Sequence, residues 1–124
     1  MLGREMGGLA EQIGLVSGGR RFAWAIPLRP GLVISHNRFN ASRIETVVVA
    51  ALTSNMRLAA ARGNVALLQG EAGLAVPSVV NVSQLRTIDR GFLGQRIGTL
   101  SALRMQQVWQ GLCLVLQPDS VQVG

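Results

Sequence analysis

Apolar residues along most of this chain fall into short runs of strand length, and the last run is spaced like a helix. Phe22, Trp24 and Ile26 alternate with Ala23 and Ala25, the period of a half-buried strand, which Pro27 closes. Leu32 to Ser35 predicts another strand, and Asn37 to Ser42 a polar turn. The β-branched run from Thr46 to Leu52 predicts a strand buried on both faces at the centre of a sheet. Thr53, Ser54 and Asn55 end it with small polar side chains that a scaffold can present. Asn64 to Leu68 and Ser78 to Val82 predict two more strands, separated by a loop that Gly70, Gly73 and Pro77 punctuate. Thr87 to Ile97 reads as an irregular connection holding Gly91 and Gly94, and it leads to a last strand, Ile97 to Leu100. Ser101 can cap a helix in which Met105, Val108, Trp109, Leu112 and Leu116 share a face, and Pro118 ends that helix. Met6, Leu9, Ile13 and Val16 also lie near one helical face, but five glycines from Gly3 to Gly18 cost about 1 kcal/mol each, so no element is assigned there.

The fold class expected is mainly β with a C-terminal α-helix, a small barrel or sandwich in one domain without internal repeats. At 124 residues folding buries roughly two-thirds of the unfolded chain's surface, so no covalent staple is needed. Aromatic residues make up only 4%, so Val, Leu, Ile and Ala must fill the core.

Charge narrows the function. All 12 cationic side chains are arginine and 6 carboxylates oppose them, a net charge of +6. Arginine's planar donor fork matches phosphate oxygens, which points to an anionic partner. Cys113 is the only cysteine, so an internal disulfide and a CxxC pair are excluded, and a reducing cytoplasm is the expected compartment. The apolar runs fall far short of the ~20 residues that span a bilayer, and nothing near the N-terminus resembles a signal peptide.

His36 is the only histidine, so a two-histidine acid–base pair and a histidine-rich zinc site are closed off. There is no phosphate-binding GxxxxGK[ST] loop, and the scattered carboxylates make no obvious two-metal cluster. No cofactor and no metal are expected. What remains is arginine with hydroxyls, a set that can stabilise the charge developing on a phosphodiester under attack. RNA brings its own nucleophile, the 2′-hydroxyl.

In order, RPGLVIS (Arg29 to Ser35), NRFN (Asn37 to Asn40), TVVVAALTSN (Thr46 to Asn55), GNV (Gly63 to Val65), SVVNVSQLRTID (Ser78 to Asp89) and RIG (Arg96 to Gly98) resemble the MazF/PemK toxins. The likeness continues through LRMQQVWQGLCLVL, Leu103 to Leu116. It implies an SH3-like barrel of the CcdB/PemK type with a C-terminal helix. It also implies a homodimer and metal-independent cleavage of single-stranded RNA to a cyclic phosphate and a 5′-hydroxyl. Its implied partners are an acidic antitoxin and, through the antitoxin complex, operator DNA. Arg29 corresponds to the family's catalytic arginine and Thr53 to its catalytic threonine, with Ser54 beside it. Because arginine stays protonated up to about pH 12, Arg29 is assigned first to electrostatic stabilisation and second to proton donation. Asn37, Arg38, Arg57, Ser83 and Gln84 are candidates for gripping RNA, since amides read base edges and arginines hold phosphates or stack on bases. His36 is expected as a loop residue near the substrate, and Trp109 and Cys113 as core or dimer contacts.

The chain departs from the family at its start. The resemblance divides it into an atypical segment, residues 1–28, with one short strand at 22–26, a toxin domain at 29–118 and a tail at 119–124. Members usually begin with an RGDIW-like strand and a long loop covering the active site. Here only Pro27 and Leu28 stand between the 22–26 strand and Arg29. The expectation is a remodelled N-terminus or a shifted reading frame, a barrel short of one strand and a more open site. The alternative function is a catalytically degenerate homologue that binds antitoxin and, with it, operator DNA. A CcdB-type gyrase poison depends on a tryptophan near its C-terminus, and the tail PDSVQVG has none.

Overall fold

The computed structural model of the chain describes residues 15–16, 20–26, 29–35 and 45–116. Within them seven strands form one antiparallel sheet: β1 (Leu15–Val16), β2 (Arg20–Ile26), β3 (Arg29–Val33), β4 (Thr46–Thr53), β5 (Val65–Leu67), β6 (Ser78–Asp89) and β7 (Arg96–Leu100). A helix, α1 (Ala102–Leu116), follows. β2 carries β3 on one edge and β7 on the other, and the order continues β3, β4, β6, β5. The expected mainly β fold with one C-terminal helix is what forms.

Alternation along β4 places its residues on two faces of the curved sheet. Ala50 and Leu52 enter a main core with Leu32, Val80, Val82 and the helix residues Met105, Val108 and Leu112. Val47 and Val49 enter a smaller cluster on the other face with Val33 and Ile88. Four of the eight β4 residues are buried and none is fully exposed, as its β-branched run predicts for a central strand. Burying the three helix residues contributes about 2 kcal/mol each against leaving them in water, which docks α1 on the sheet. Ser101 Oγ accepts from Arg104 N at 3.2 Å and caps the first turn.

Two backbone contacts finish the packing. Gly111 of α1 lies against Gly63, where an added Cβ would meet the Gly63 carbonyl, so the helix approaches this loop closer than any side chain allows. The turn at Glu71–Gly73 abuts β7 in the same way, with Gly73 against Ile97 and Gly98 against Ala72. That contact bridges the end of the sheet after β5 to β7 and gives the curved sheet its half-barrel form.

Several expectations change. β2 pairs with both β3 and β7, so the sheet is not short of a strand at this position. Ala23, expected to face away from the core, is wholly buried in it, while Trp24 and Ile26 pack on the smaller cluster, because the sheet carries a hydrophobic cluster on each face. β3 begins at Arg29, three residues before the expected start, since Pro30 at a strand's beginning costs the ladder little. β6 runs to Asp89 instead of ending at Val82, because the polar break at Ser83 and Gln84 is an irregularity inside a continuous strand. On α1, Trp109 and Leu116 are exposed and Gly111 takes a place in the buried face. Cys113 is exposed too, so neither it nor Trp109 is a core residue. The Asn37–Ser42 turn, Pro118 and the expected helical face at Met6, Leu9 and Ile13 lie outside the described residues.

Candidate active site

Sheet register brings Arg29 and Thr53 together. The β3–β4 ladder ends at Gly31 and Ala51, and Arg29 and Thr53 each lie two residues beyond it, at adjoining ends of the two strands. Residues two apart in a strand share a face, so Arg29 lies on the face of Gly31 and Thr53 on that of Ala51. The face is that of Val33, Val47 and Val49, away from the main core beneath α1. Arg29 is exposed at the start of its strand and Thr53 half-buried at the end of its own.

Both residues line a concavity of about 550 Å³ together with Pro30, Ser54, Asn55 and Ser78, with Leu52 and Leu74 to Val76 as the remaining wall. Arg29 and Pro30 also line a second concavity of about 460 Å³, whose other walls include Ser83, Gln84 and Arg86. Arg29 therefore sits between the two. Their linings hold two arginines, Arg29 and Arg86, and no carboxylate, so the surface favours an anion.

The Thr53 hydroxyl is oriented by its own loop. Thr53 Oγ1 accepts from Asn55 N at 3.1 Å, which leaves its single proton free to donate and a second lone pair free to accept. Asn55 Oδ1 in turn accepts from Arg57 N at 3.2 Å and caps the short 3₁₀ turn Met56–Ala60.

Ser83 and Gln84 reach the second concavity because β6 is bulged. Ala50 pairs with Leu85 and Ala51 with Asn81, so Val82, Ser83 and Gln84 have no partners on β4. The buried Asn81 holds the bulge, its Oδ1 accepting from Ser83 N at 3.3 Å and Ser83 Oγ at 2.8 Å. An unpaired stretch of strand thus points polar side chains into a cleft that a regular ladder would have filled.

Of the residues singled out in the sequence, Arg29, Thr53, Ser54, Ser83 and Gln84 line these two adjoining concavities. Arg57 is exposed on the Met56–Ala60 turn and lines neither. His36, Asn37 and Arg38 lie outside the described residues. Arg86 was not anticipated, although a period of two counted on from Gln84 leads to it. Asn64 and Asn81 were missed as well, since their roles are hydrogen bonds across the sheet that no local pattern announces. Among the described residues no group of three His, Cys, Asp or Glu side chains is placed to hold a metal ion. No helix among them is long and apolar enough to cross a membrane.

Known proteins share this fold. The family model for the PemK-like, MazF-like toxin of type II toxin–antitoxin systems matches residues 26–116. Endoribonuclease MazF2 of Mycobacterium bovis and endoribonuclease MazF6 of Mycobacterium tuberculosis are each 44% identical over 88 residues, 71% of this chain and 77% of theirs. The solved Mycobacterium tuberculosis toxin MazF-mt6 superposes with a TM-score of 0.70 at 25% identity, covering 81% of this chain and 100% of that one. A mycobacterial endoribonuclease solved in complex with its cognate antitoxin has the same fold, with a TM-score of 0.66 at 22% identity over 82% of this chain and 96% of that one. With this fold, the family match over residues 26–116 and 44% identity over 88 residues, the chain belongs to the PemK-like, MazF-like toxins of type II toxin–antitoxin systems.

Proposed function

We propose that this MazF-type toxin is an endoribonuclease that cuts single-stranded RNA without a metal ion, using Arg29 and Thr53 as its catalytic residues. The observation that carries the reading is their juxtaposition, both lining one concavity free of carboxylates at adjoining ends of neighbouring strands. The RNA 2′-oxygen bonds to the adjacent phosphorus as its proton leaves, and the bond from phosphorus to the 5′-oxygen breaks as that oxygen gains a proton. The products are a cyclic phosphate and a 5′-hydroxyl. Charge grows on the non-bridging oxygens, where the Arg29 guanidinium and the Thr53 hydroxyl can donate. Ser54, next along the loop, supplies a further hydroxyl for orienting the phosphate.

Ser83 and Gln84 are proposed to grip the strand from the second concavity, with Arg86 against its phosphates. Arg57, outside both concavities, and Arg38 and Asn37 would act on the flanking nucleotides. With two residues between β2 and β3, the site lacks the covering loop of the family pattern and should accept RNA with little rearrangement.

Leu103, Leu114, Val115 and Leu116 expose apolar surface on α1, which supports contacts with protein. The proposed contacts are a second copy of the chain and an acidic, partly disordered antitoxin that folds against the toxin and carries it to operator DNA. An RNA-cutting chain with one cysteine is placed in the cytoplasm.

The test incubates the purified chain with mixed RNA in excess chelator beside Arg29→Ala and Thr53→Ala, mapping the cut ends. Discrete cuts with 5′-hydroxyl ends, lost in both variants, are the expected result. A folded wild type that makes no cuts would favour instead the binding-only homologue.

A further inference from the structure

The two concavities are built from loops far apart in sequence, yet one side chain bonds to both. Asn64 Nδ2 donates to Leu58 O at 2.9 Å, and Asn64 Oδ1 accepts from Val82 N at 3.0 Å. Leu58 belongs to the turn Met56–Ala60, whose cap, Asn55, also donates to Thr53 Oγ1. Val82 is the first residue of the bulge that delivers Ser83 and Gln84. A continuous run of hydrogen bonds thus passes from the Thr53 hydroxyl through Asn55, Leu58 and Asn64 to the bulge.

From this run we infer that Asn64 is a positioning residue for RNA cleavage, setting the Thr53 loop and the Ser83–Gln84 bulge at a fixed separation across Arg29. The inference rests on the functional reading above for its effect on rate, though not for its effect on geometry. Only an amide of this length meets both demands, because one end must donate to a carbonyl while the other accepts from an amide. β5 begins only at Val65, opposite Val80, so on that edge of β6 the Val82 N–H lies past the ladder and needs an acceptor from elsewhere. Asn64 is itself held by Asn64 N donating to Ala61 O at 3.1 Å, and the neighbouring Gly63 is pinned under α1 at Gly111. The amide is therefore mounted on backbone that the helix fixes.

The two bonds can be cut separately. Asn64→Asp keeps an acceptor for Val82 N–H and loses the donor to Leu58 O, whereas Asn64→Ala loses both. Steady-state cleavage of a single-stranded RNA, corrected for the folded fraction, should show Asn64→Asp with kcat lowered about tenfold and KM little changed. In Asn64→Ala, kcat should fall similarly and KM rise several-fold, since the RNA-gripping bulge is released too. Kinetics per folded molecule equal to wild type in both variants would overturn the proposal, because a side chain that only stabilises the fold changes the folded fraction and not this split.

A second measurement needs no RNA. Amide NMR shifts of wild type and Asn64→Ala should differ both at Val82 to Gln84 and at Asn55 to Leu58, on opposite sides of the cleft. Changes confined to Val82 to Gln84 would overturn the proposal. Changes on both sides in a protein that cuts no RNA would uphold the positioning and sink the nuclease reading instead.

Discussion

Replacing Thr53 with valine separates chemistry from folding at the candidate site. Valine is close to threonine in shape and keeps the β-branch that suits the end of β4, so pairing of Thr53 with Val79 should survive. What disappears is the hydroxyl, with its bond from Asn55 N. An intramolecular hydrogen bond contributes about 1 kcal/mol net, and less here, because Asn55 is exposed and water can replace the lost acceptor. The melting temperature should therefore fall by no more than about 4 °C. The same hydroxyl aimed at a developing oxyanion is worth far more. Losing such a donor costs on the order of 10² to 10³ in rate, or about 3–4 kcal/mol of barrier. Thermal melting by circular dichroism and single-turnover cleavage of a labelled RNA measure the two numbers on one sample. Thr53→Ser, which restores the hydroxyl, should recover to within about tenfold of wild type. A Thr53→Val protein that melts normally and keeps a third or more of the wild-type rate would refute the assignment of Thr53 to the reaction.

Two predictions concern the scaffold. Gly111→Ala gains about 1 kcal/mol of helix propensity, but the added Cβ overlaps the Gly63 carbonyl and sits 3.2 Å from Gly63 Cα, backbone that cannot rotate away. Overpacking of this kind costs about 1–3 kcal/mol, so the variant should melt below wild type, and a rise in melting temperature would show the helix free to shift. Arg104 bonds to Glu71 through Nε and Nη2, both at 2.9 Å, which holds the Glu71 carboxyl below the usual carboxylate range against a smaller opposing effect of burial. A depressed folded-state pKa means that the pair's stabilisation is present above about pH 4.3, the unfolded value, and is lost as pH falls through the lower folded value. The pair is partly exposed, so it contributes about 1 kcal/mol or less, and Glu71→Gln should flatten urea midpoints in that acid window while leaving their spacing above it unchanged.

Much of the lining of the two concavities is legible in the sequence. Arginine without lysine, one histidine and few acids left a phosphodiester and a hydroxyl-bearing loop as the natural chemistry. The resemblance singles out Arg29 and Thr53, which the neighbouring strands β3 and β4 bring to one concavity. The length of β6 was not legible, because Ser83 and Gln84 interrupt its apolar pattern just where the strand bulges. The buried face of α1 was misjudged at Trp109 and Leu116, since a helical stripe read from side chains does not register a glycine seated backbone to backbone.

Local periodicity and turn residues set the kind of element at most positions, and the side chains present and absent set the kind of chemistry. Tertiary structure alone decided which of those side chains meet. Arg29 and Thr53 share a concavity because β3 and β4 are neighbours, Ser83 and Gln84 enter the cleft through a three-residue slip against β4, and Asn64 reaches Leu58 and Val82 at once because α1 presses its loop onto the sheet. Each of these depends on contacts between residues distant in the chain. Local propensity carries no information about them, because the energy that selects them comes from burying β4, β6 and α1 against one another.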